Sequence, residues 1–203
     1  MKPERIPNGE INPKSKYVLA IDPARTGVDE TALVILEQLP ANDNIFISYM
    51  ESGHVPDLTT TLDRVIFLDK FYNFDKIYID ETGLGAGLSD ILKNKLGNRV
   101  VGVWYTQKIK VEIFNNLKLL MMRRKGKLYI PDYKTMRQAI VKKMFFQFLS
   151  ISQTFKDAAK LPKISHDNRT HDDIINALAL AATHFQLKKI KRSYGLGGFT
   201  STR

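Results

Sequence analysis

Tyr17-Val18-Leu19-Ala20-Ile21-Asp22 is the stretch on which the reading of this chain turns. It is a short, nearly continuous apolar run closed by an acid, the pattern of a strand buried in the middle of a sheet. Lys76-Ile77-Tyr78-Ile79-Asp80 repeats that pattern. If the two strands lie side by side, their ends stand about 5–10 Å apart. A third acidic point, Asp172-Asp173, opens the apolar segment Ile174 to Phe185, which reads as a helix. An apolar helix packed on a sheet places its N-terminal acids near the strand ends.

Thr31–Gln38 and Asn44–Glu51 are β-rich and flank the turn signal Pro40-Ala41-Asn42-Asp43. The first third of the chain therefore reads as three adjacent antiparallel strands. Helical spacing or composition marks residues 58–71, 88–96, 112–122, 135–151 and 172–187, and short strands are expected at 76–80, 99–104 and 127–130. The polar segment 156–170 carries a hairpin signal around Leu161–Ile164. Strands first, then strands alternating with helices, predict an α/β fold: a mixed central β-sheet, antiparallel in its first strands and then parallel, flanked by helices. Residues 1–15, with three prolines, read as an arm or linker, 16–187 as one domain, and 188–203 as a basic, disordered tail.

Composition narrows the function classes. The chain has 203 residues with formal net charge +10, from 31 Lys+Arg against 21 Asp+Glu. Such an excess favours a phosphate backbone as partner. No run reaches the length of a membrane span, and no apolar signal segment opens the chain. With no cysteine there is no disulfide and no thiolate zinc site, and the four histidines are too scattered for a zinc signature.

Clustered carboxylates repel one another and call for a cation. An all-oxygen site suits Mg²⁺ or Mn²⁺. Beside a polyanion, such a site predicts metal-dependent cutting of nucleic acid, one ion activating water and the other stabilising the leaving oxygen. Capping offers a plainer account of the last two acids. Thr170-His171-Asp172-Asp173 fits a capping box, with Thr170 as N-cap and Asp173 three positions on.

Three segments together carry a family resemblance. They are Ala20-Ile21-Asp22-Pro23-Ala24 with Gly27-Val28-Asp29-Glu30-Thr31-Ala32, then Ile79-Asp80-Glu81-Thr82-Gly83-Leu84-Gly85, then His171-Asp172-Asp173-Ile174-Ile175-Asn176-Ala177-Leu178-Ala179-Leu180-Ala181. In order and spacing they resemble the C-terminal nuclease domain of the large terminase subunit of tailed phages, over roughly residues 16–187. The resemblance implies an RNase H-like fold and an endonuclease that cuts concatemeric DNA during genome packaging in the host cytoplasm. By it, Asp22, Asp80 and Asp173 are the catalytic, metal-holding acids of a site for two ions, Mg²⁺ or Mn²⁺. Asp172 shares the third position, and Asp29 matches an additional motif acid. Many members carry an acid where this chain has Asn176. The implied partners are double-stranded DNA, a terminase ATPase domain, fused or separate, the portal and the small terminase subunit. The chain itself holds no G-x-x-x-x-G-K-[ST] loop, so it looks like the nuclease part alone, without an ATP site. A Holliday-junction resolvase or transposase-like nuclease of the same fold is the alternative within the enzymes. A non-catalytic DNA-binding packaging module is the alternative outside them.

Gly83-Leu84-Gly85-Ala86-Gly87 fails the G-x-G-x-x-G spacing and reads as a tight turn or close approach near the acids. Lys108, Lys110, Arg123, Arg124, Lys125 and Lys127 are the candidate DNA contacts. His171 is an additional candidate beside the acid pair, and Trp104 and Tyr105 read as core or rim residues at a strand end.

Overall fold

Apolar runs that alternate between two covered faces build the centre of this molecule. The structure, a computed structural model, describes residues 11–24, 30–131, 139–154, 162–165 and 171–185. The run from Tyr17 forms β1 (Lys16–Asp22), followed by β2 (Thr31–Gln38), β3 (Ile45–Gly53), α1 (Leu58–Tyr72), β4 (Lys76–Asp80), α2 (Gly85–Leu96) and β5 (Val100–Val103). Then come α3 (Gln107–Met122), β6 (Leu128–Tyr129), α4 (Ala139–Ser150), β7 (Ser152–Thr154), β8 (Lys163–Ser165) and α5 (Asp173–Ala182). The main sheet has six strands in the order β5-β4-β1-β2-β3-β6. β1, β2 and β3 pair antiparallel, while β4 pairs parallel with β1 and β5 with β4. This is the mixed sheet expected from the sequence.

Strand periodicity sorts the core into two layers. Val18, Ala20, Ala32 and Val34 face α3, α4 and α5, whereas Leu19, Ile21, Leu33, Ile77 and Ile79 face α1 and α2. Every residue of α5 is buried. An apolar helix without a polar face has to lie in the middle of a layer, and α5 does so, against β1 and β2. Among the described residues no helix is long and apolar enough to cross a membrane.

Several boundaries differ from expectation for identifiable reasons. The glycine segment does not remain a loop: Gly85 and Gly87 are already in α2. The last helix runs only from Asp173 to Ala182 and tightens into a 3-10 turn, Thr183–Phe185, while 186–187 lie outside the described residues. The small hairpin pairs β7 with β8 and so begins before the expected polar segment, at Ser152. In the expected arm, Ile11 packs on the core and the Asn12 N–H donates to the Tyr17 hydroxyl at 3.0 Å. The expected tail lies outside the described residues.

Gly85 sets how closely α2 approaches β4. A Cβ built there would stand 1.7 Å from the Asp80 carbonyl oxygen and 3.1 Å from Pro23 Cγ. The Asp80 carbonyl is backbone and cannot yield without moving the strand end. Gly85→Ala is therefore expected to destabilise the chain by about 1–3 kcal/mol, as overpacking does. Urea unfolding checks this, and an unchanged midpoint would show that α2 shifts freely.

Candidate metal centre

The sheet delivers Asp22 and Asp80 to one place. Ile21 and Ile79 are register partners in the parallel pair of β1 and β4, and both point to the α1–α2 face. The next residues, Asp22 and Asp80, therefore point to the α5 face at adjacent strand ends, about 5 Å of backbone apart. The Asp80 carboxylate is held by the Thr82 N–H, which donates to Oδ1 at 2.8 Å. Glu81, one residue on, belongs to the other face. It accepts from Ser89 Oγ at 2.6 Å and from Lys93 Nζ at 2.7 Å, and it lies over Gly102, where a Cβ would stand 1.6 Å from Oε1.

The third acidic point comes from α5, and its cap is not the expected one. Thr170 lies outside the described residues, and the N-cap position is held by Asp172, whose side chain makes no capping bond. Gln147 of α4 does that work: its Oε1 accepts from the N–H groups of Ile174 at 3.0 Å and Ile175 at 3.3 Å. Gln147 is fully enclosed, so its amide satisfies donors that water cannot reach. The capping box is thus corrected. Asp172 instead accepts from Lys110 Nζ at 3.0 Å, and Asp172 and Asp173 are both buried.

Electrostatics join the three points. Burial pushes the Asp22 carboxyl well above the usual range, and the negative charges of Asp80, Asp173 and Asp172 push it further, while a hydrogen bond from Asn176 opposes them. Asp80 is raised by burial, against the Thr82 hydrogen bonds and the Lys110 charge. Tyr105, which sequence reasoning left at the rim, stands among them. Its hydroxyl is pushed up by burial and by Asp22, Asp80 and Asp172, and it donates to the Asn176 carbonyl at 3.4 Å.

The donor set fits a hard divalent ion. Carboxylates that hold one another's protons on are what a cation relieves, and all the donors are oxygens. The buried Asn176 Oδ1 has no hydrogen-bond partner, which leaves one more oxygen beside Asp22. Among the described residues no three side chains already form a metal-holding group. The acids share a charged neighbourhood, part of which Lys110 neutralises, rather than a finished coordination shell.

The other candidates divide. Asp29 lies outside the described residues. His171 is exposed at the turn before Asp172. Lys108 is exposed in the first turn of α3, at the same end of the helix as Lys110. Arg123, Arg124, Lys125 and Lys127 follow the other end of α3, about 20 Å from Lys110 at a rise of about 1.5 Å per residue. The basic positions therefore form two groups, only one of them beside the acids. Of the residues that sequence reasoning missed, Gln147 left a signal: it is a polar residue on the buried side of an apolar helix, one turn after Met144. Tyr105 left none.

A family model described as the terminase RNaseH-like domain matches residues 19–185. No curated protein matches the chain. Among solved structures, it resembles the large terminase nuclease from thermophilic phage G20c with bound magnesium, at TM-score 0.67 and 20% identity over 85% of this chain and 83% of that one. The large terminase nuclease domain of Thermus phage P74-26 matches at TM-score 0.63 and 19% identity, over 85% and 81%. A K428A mutant nuclease domain of the large terminase subunit gp2 of bacterial virus Sf6, with manganese and beta-thujaplicinol, matches at 0.62 and 14%, over 84% and 89%. The G20c nuclease is also seen with bound cobalt and with bound zinc. At these identities the likeness concerns the fold.

Two outcomes are expected. Gln147→Leu leaves two buried N–H groups without an acceptor and is expected to cost about 1–3 kcal/mol; urea titration against the unchanged chain checks it. Asp22 is protonated more readily folded than unfolded. Its contribution to stability is present below the ordinary carboxylate range and is lost as pH rises through its raised pKa. In EDTA, Asp22→Asn should therefore melt higher than the unchanged chain at pH 7.5, with the difference vanishing towards pH 4. A variant that melts lower at pH 7.5 would refute the repulsive site.

Proposed function

Because this chain belongs to the terminase RNaseH-like domain family, we propose that it is the metal-dependent DNA endonuclease domain of a phage large terminase, cutting concatemeric viral DNA during genome packaging. The observation that carries this reading is the meeting of Asp22, Asp80 and the Asp172–Asp173 pair, from three separate elements, in one mutually repulsive group. Acids placed for capping or solubility have no reason to be gathered where burial and like charge both oppose them. The rival reading, a packaging module whose acids only cap helices, loses its ground at α5, where Gln147 supplies the cap.

Asp22, Asp80 and Asp173 would hold two divalent ions, Mg²⁺ or Mn²⁺, with Asp172 and Asp29 in support. Bound there, the ions would supply an activated water and neutralise the charge that develops on the phosphate in an in-line displacement. The protein's own part is positional. β1 and β4 fix Asp22 and Asp80 through sheet hydrogen bonds, and the Thr82 N–H orients the Asp80 carboxylate. Gln147 holds the first turn of α5, so Asp173 faces the site on a rigid helix end. Lys110 pairs with Asp172, which favours Asp173 as the direct ligand, and its ammonium lowers the charge that an incoming DNA backbone meets. The net charge of +10 supports a duplex DNA substrate. By family kinship the remaining partners are a terminase ATPase domain, fused or separate, the portal and the small subunit.

Asp22→Ala and Asp80→Ala are each expected to abolish nicking of supercoiled plasmid in Mg²⁺ or Mn²⁺ while far-ultraviolet circular dichroism stays unchanged. A folded variant that cuts at the original rate would refute the assignment. Calorimetric titration with Mn²⁺ should show saturable binding that Asp173→Asn weakens more than Asp172→Asn.

A further inference from the structure

One buried oxygen beside the acids finds no donor among the described residues. Asn176 is only 7% exposed, and its Oδ1 has no hydrogen-bond partner. Helix geometry places it with the acid pair. Asn176 follows Asp172 by four residues and Asp173 by three, the spacings that share one helix face. Its N–H donates to the Asp172 carbonyl at 2.8 Å. Its side-chain amide donates to Asp22 across the gap to β1. Its backbone carbonyl accepts from the Tyr105 hydroxyl at 3.4 Å, and that phenol faces Asp22, Asp80 and Asp172. Side chain and backbone thus both put Asn176 inside the acidic group.

An enclosed acceptor without a donor opposes folding, so its presence needs a reason. Oxygens nearby are used within the chain: Gln147 Oε1 accepts from two N–H groups of α5, and Asp80 Oδ1 from the Thr82 N–H. Gln147 Nε2 also lacks a partner, but it is a donor, which a cation does not take. Asn176 Oδ1 is an amide carbonyl, a neutral hard oxygen of the kind that Mg²⁺, Mn²⁺ and Ca²⁺ accept. In one planar amide the oxygen and nitrogen stand about 2.2 Å apart, from bonds of about 1.23 and 1.33 Å. With Nδ2 about 3 Å from an Asp22 oxygen, Oδ1 lies roughly 3–5 Å from that oxygen. Octahedral ligands at about 2.1 Å from an ion are about 3 Å apart at right angles and about 4 Å apart across it. One ion therefore reaches both oxygens. The amide also adds no charge. An acid in its place would bring another negative charge against Asp22, which already meets those of Asp80, Asp173 and Asp172.

We propose that Asn176 Oδ1 is a direct ligand of the divalent ion held by Asp22, a neutral donor that adds to the coordination without adding to the repulsion. This rests on the metal-dependent endonuclease reading above and names a further protein ligand at that site.

Calorimetric titration with Mn²⁺ compares the unchanged chain with Asn176→Leu and Asn176→Asp, each first checked for fold by circular dichroism. Leucine removes the oxygen and should weaken binding roughly ten- to hundredfold, the loss typical when a group supporting a metal site is removed. Aspartate keeps an oxygen and gives up the N–H donor. It should bind Mn²⁺ at least as tightly as the unchanged chain, yet melt lower than that chain in EDTA at pH 7.5. In a crystal of the unchanged chain soaked in Mn²⁺, Oδ1 should stand within about 2.5 Å of an ion. Equal binding by Asn176→Leu and the unchanged chain would overturn the ligand. So would Asn176→Asp binding as weakly as Asn176→Leu, the mark of a residue that only orients Asp22, or a soaked ion more than about 3 Å from Oδ1. In each of these cases, saturable Mn²⁺ binding that Asp22→Ala abolishes leaves the endonuclease reading standing. No saturable binding by the unchanged chain would overturn both.

Discussion

Carboxylates that repel one another stay together only if the elements carrying them cannot move apart. Most of this structure can be derived from that constraint. Asp22 and Asp80 sit on neighbouring strands whose parallel hydrogen bonds fix their spacing, and both strands are buried on two faces. The third point sits on a helix that is enclosed along its whole length, so α5 cannot slide without opening a core layer. Even the glycines serve the arrangement. Gly85 lets α2 rest on the carbonyl of Asp80, and Gly102 leaves room for the Glu81 side chain on the opposite face.

Strand alternation also keeps two kinds of acid apart. Asp80 and Glu81 are consecutive, yet one enters the repulsive group and the other a conventional ion pair with Lys93. Burial dominates at Asp80 and raises its carboxyl, whereas the Lys93 and Ser89 contacts lower that of Glu81. The α1–α2 face holds similar satisfied pairs, Arg64 with Glu51 and Arg99 with Asp69. These charges are matched where they stand. On the α5 face Asp22 instead meets the charges of Asp80, Asp173 and Asp172.

What the sequence made legible follows from how local each signal is. The buried strands show as apolar runs, the turn at Pro40–Asp43 as a composition, and α5 as a segment without a polar face; each is a property of a few neighbouring residues. The cap of α5 is not local. Gln147 lies 27 residues before Ile174, so no reading of the residues around Asp172 could find it. The nearby Thr170 offered a plausible substitute. Lys110 was legible as a basic residue but not as the partner of an acid 62 positions away. The same limit made Lys108 and Lys110 look continuous with Arg123–Lys127, since a helix that separates two charge groups by its own length leaves them close in sequence.

The long-range cap changes what the acid pair has to do. A helix start has unsatisfied N–H groups and a positive dipole end, and acids placed there are normally consumed by both. In α5 a neutral amide from another helix satisfies the N–H groups, while the dipole still favours negative charge beside them. Asp172, at the N-cap position, is thereby left without a capping bond of its own. Lys110 then pairs with Asp172, while Asp22 is left facing the charges of Asp80 and Asp173. Desolvation and repulsion at Asp22 oppose folding at neutral pH, and a bound divalent cation would reverse both terms. The architecture is thus one in which the rigid sheet and the remote cap carry a local instability that a bound cation would relieve.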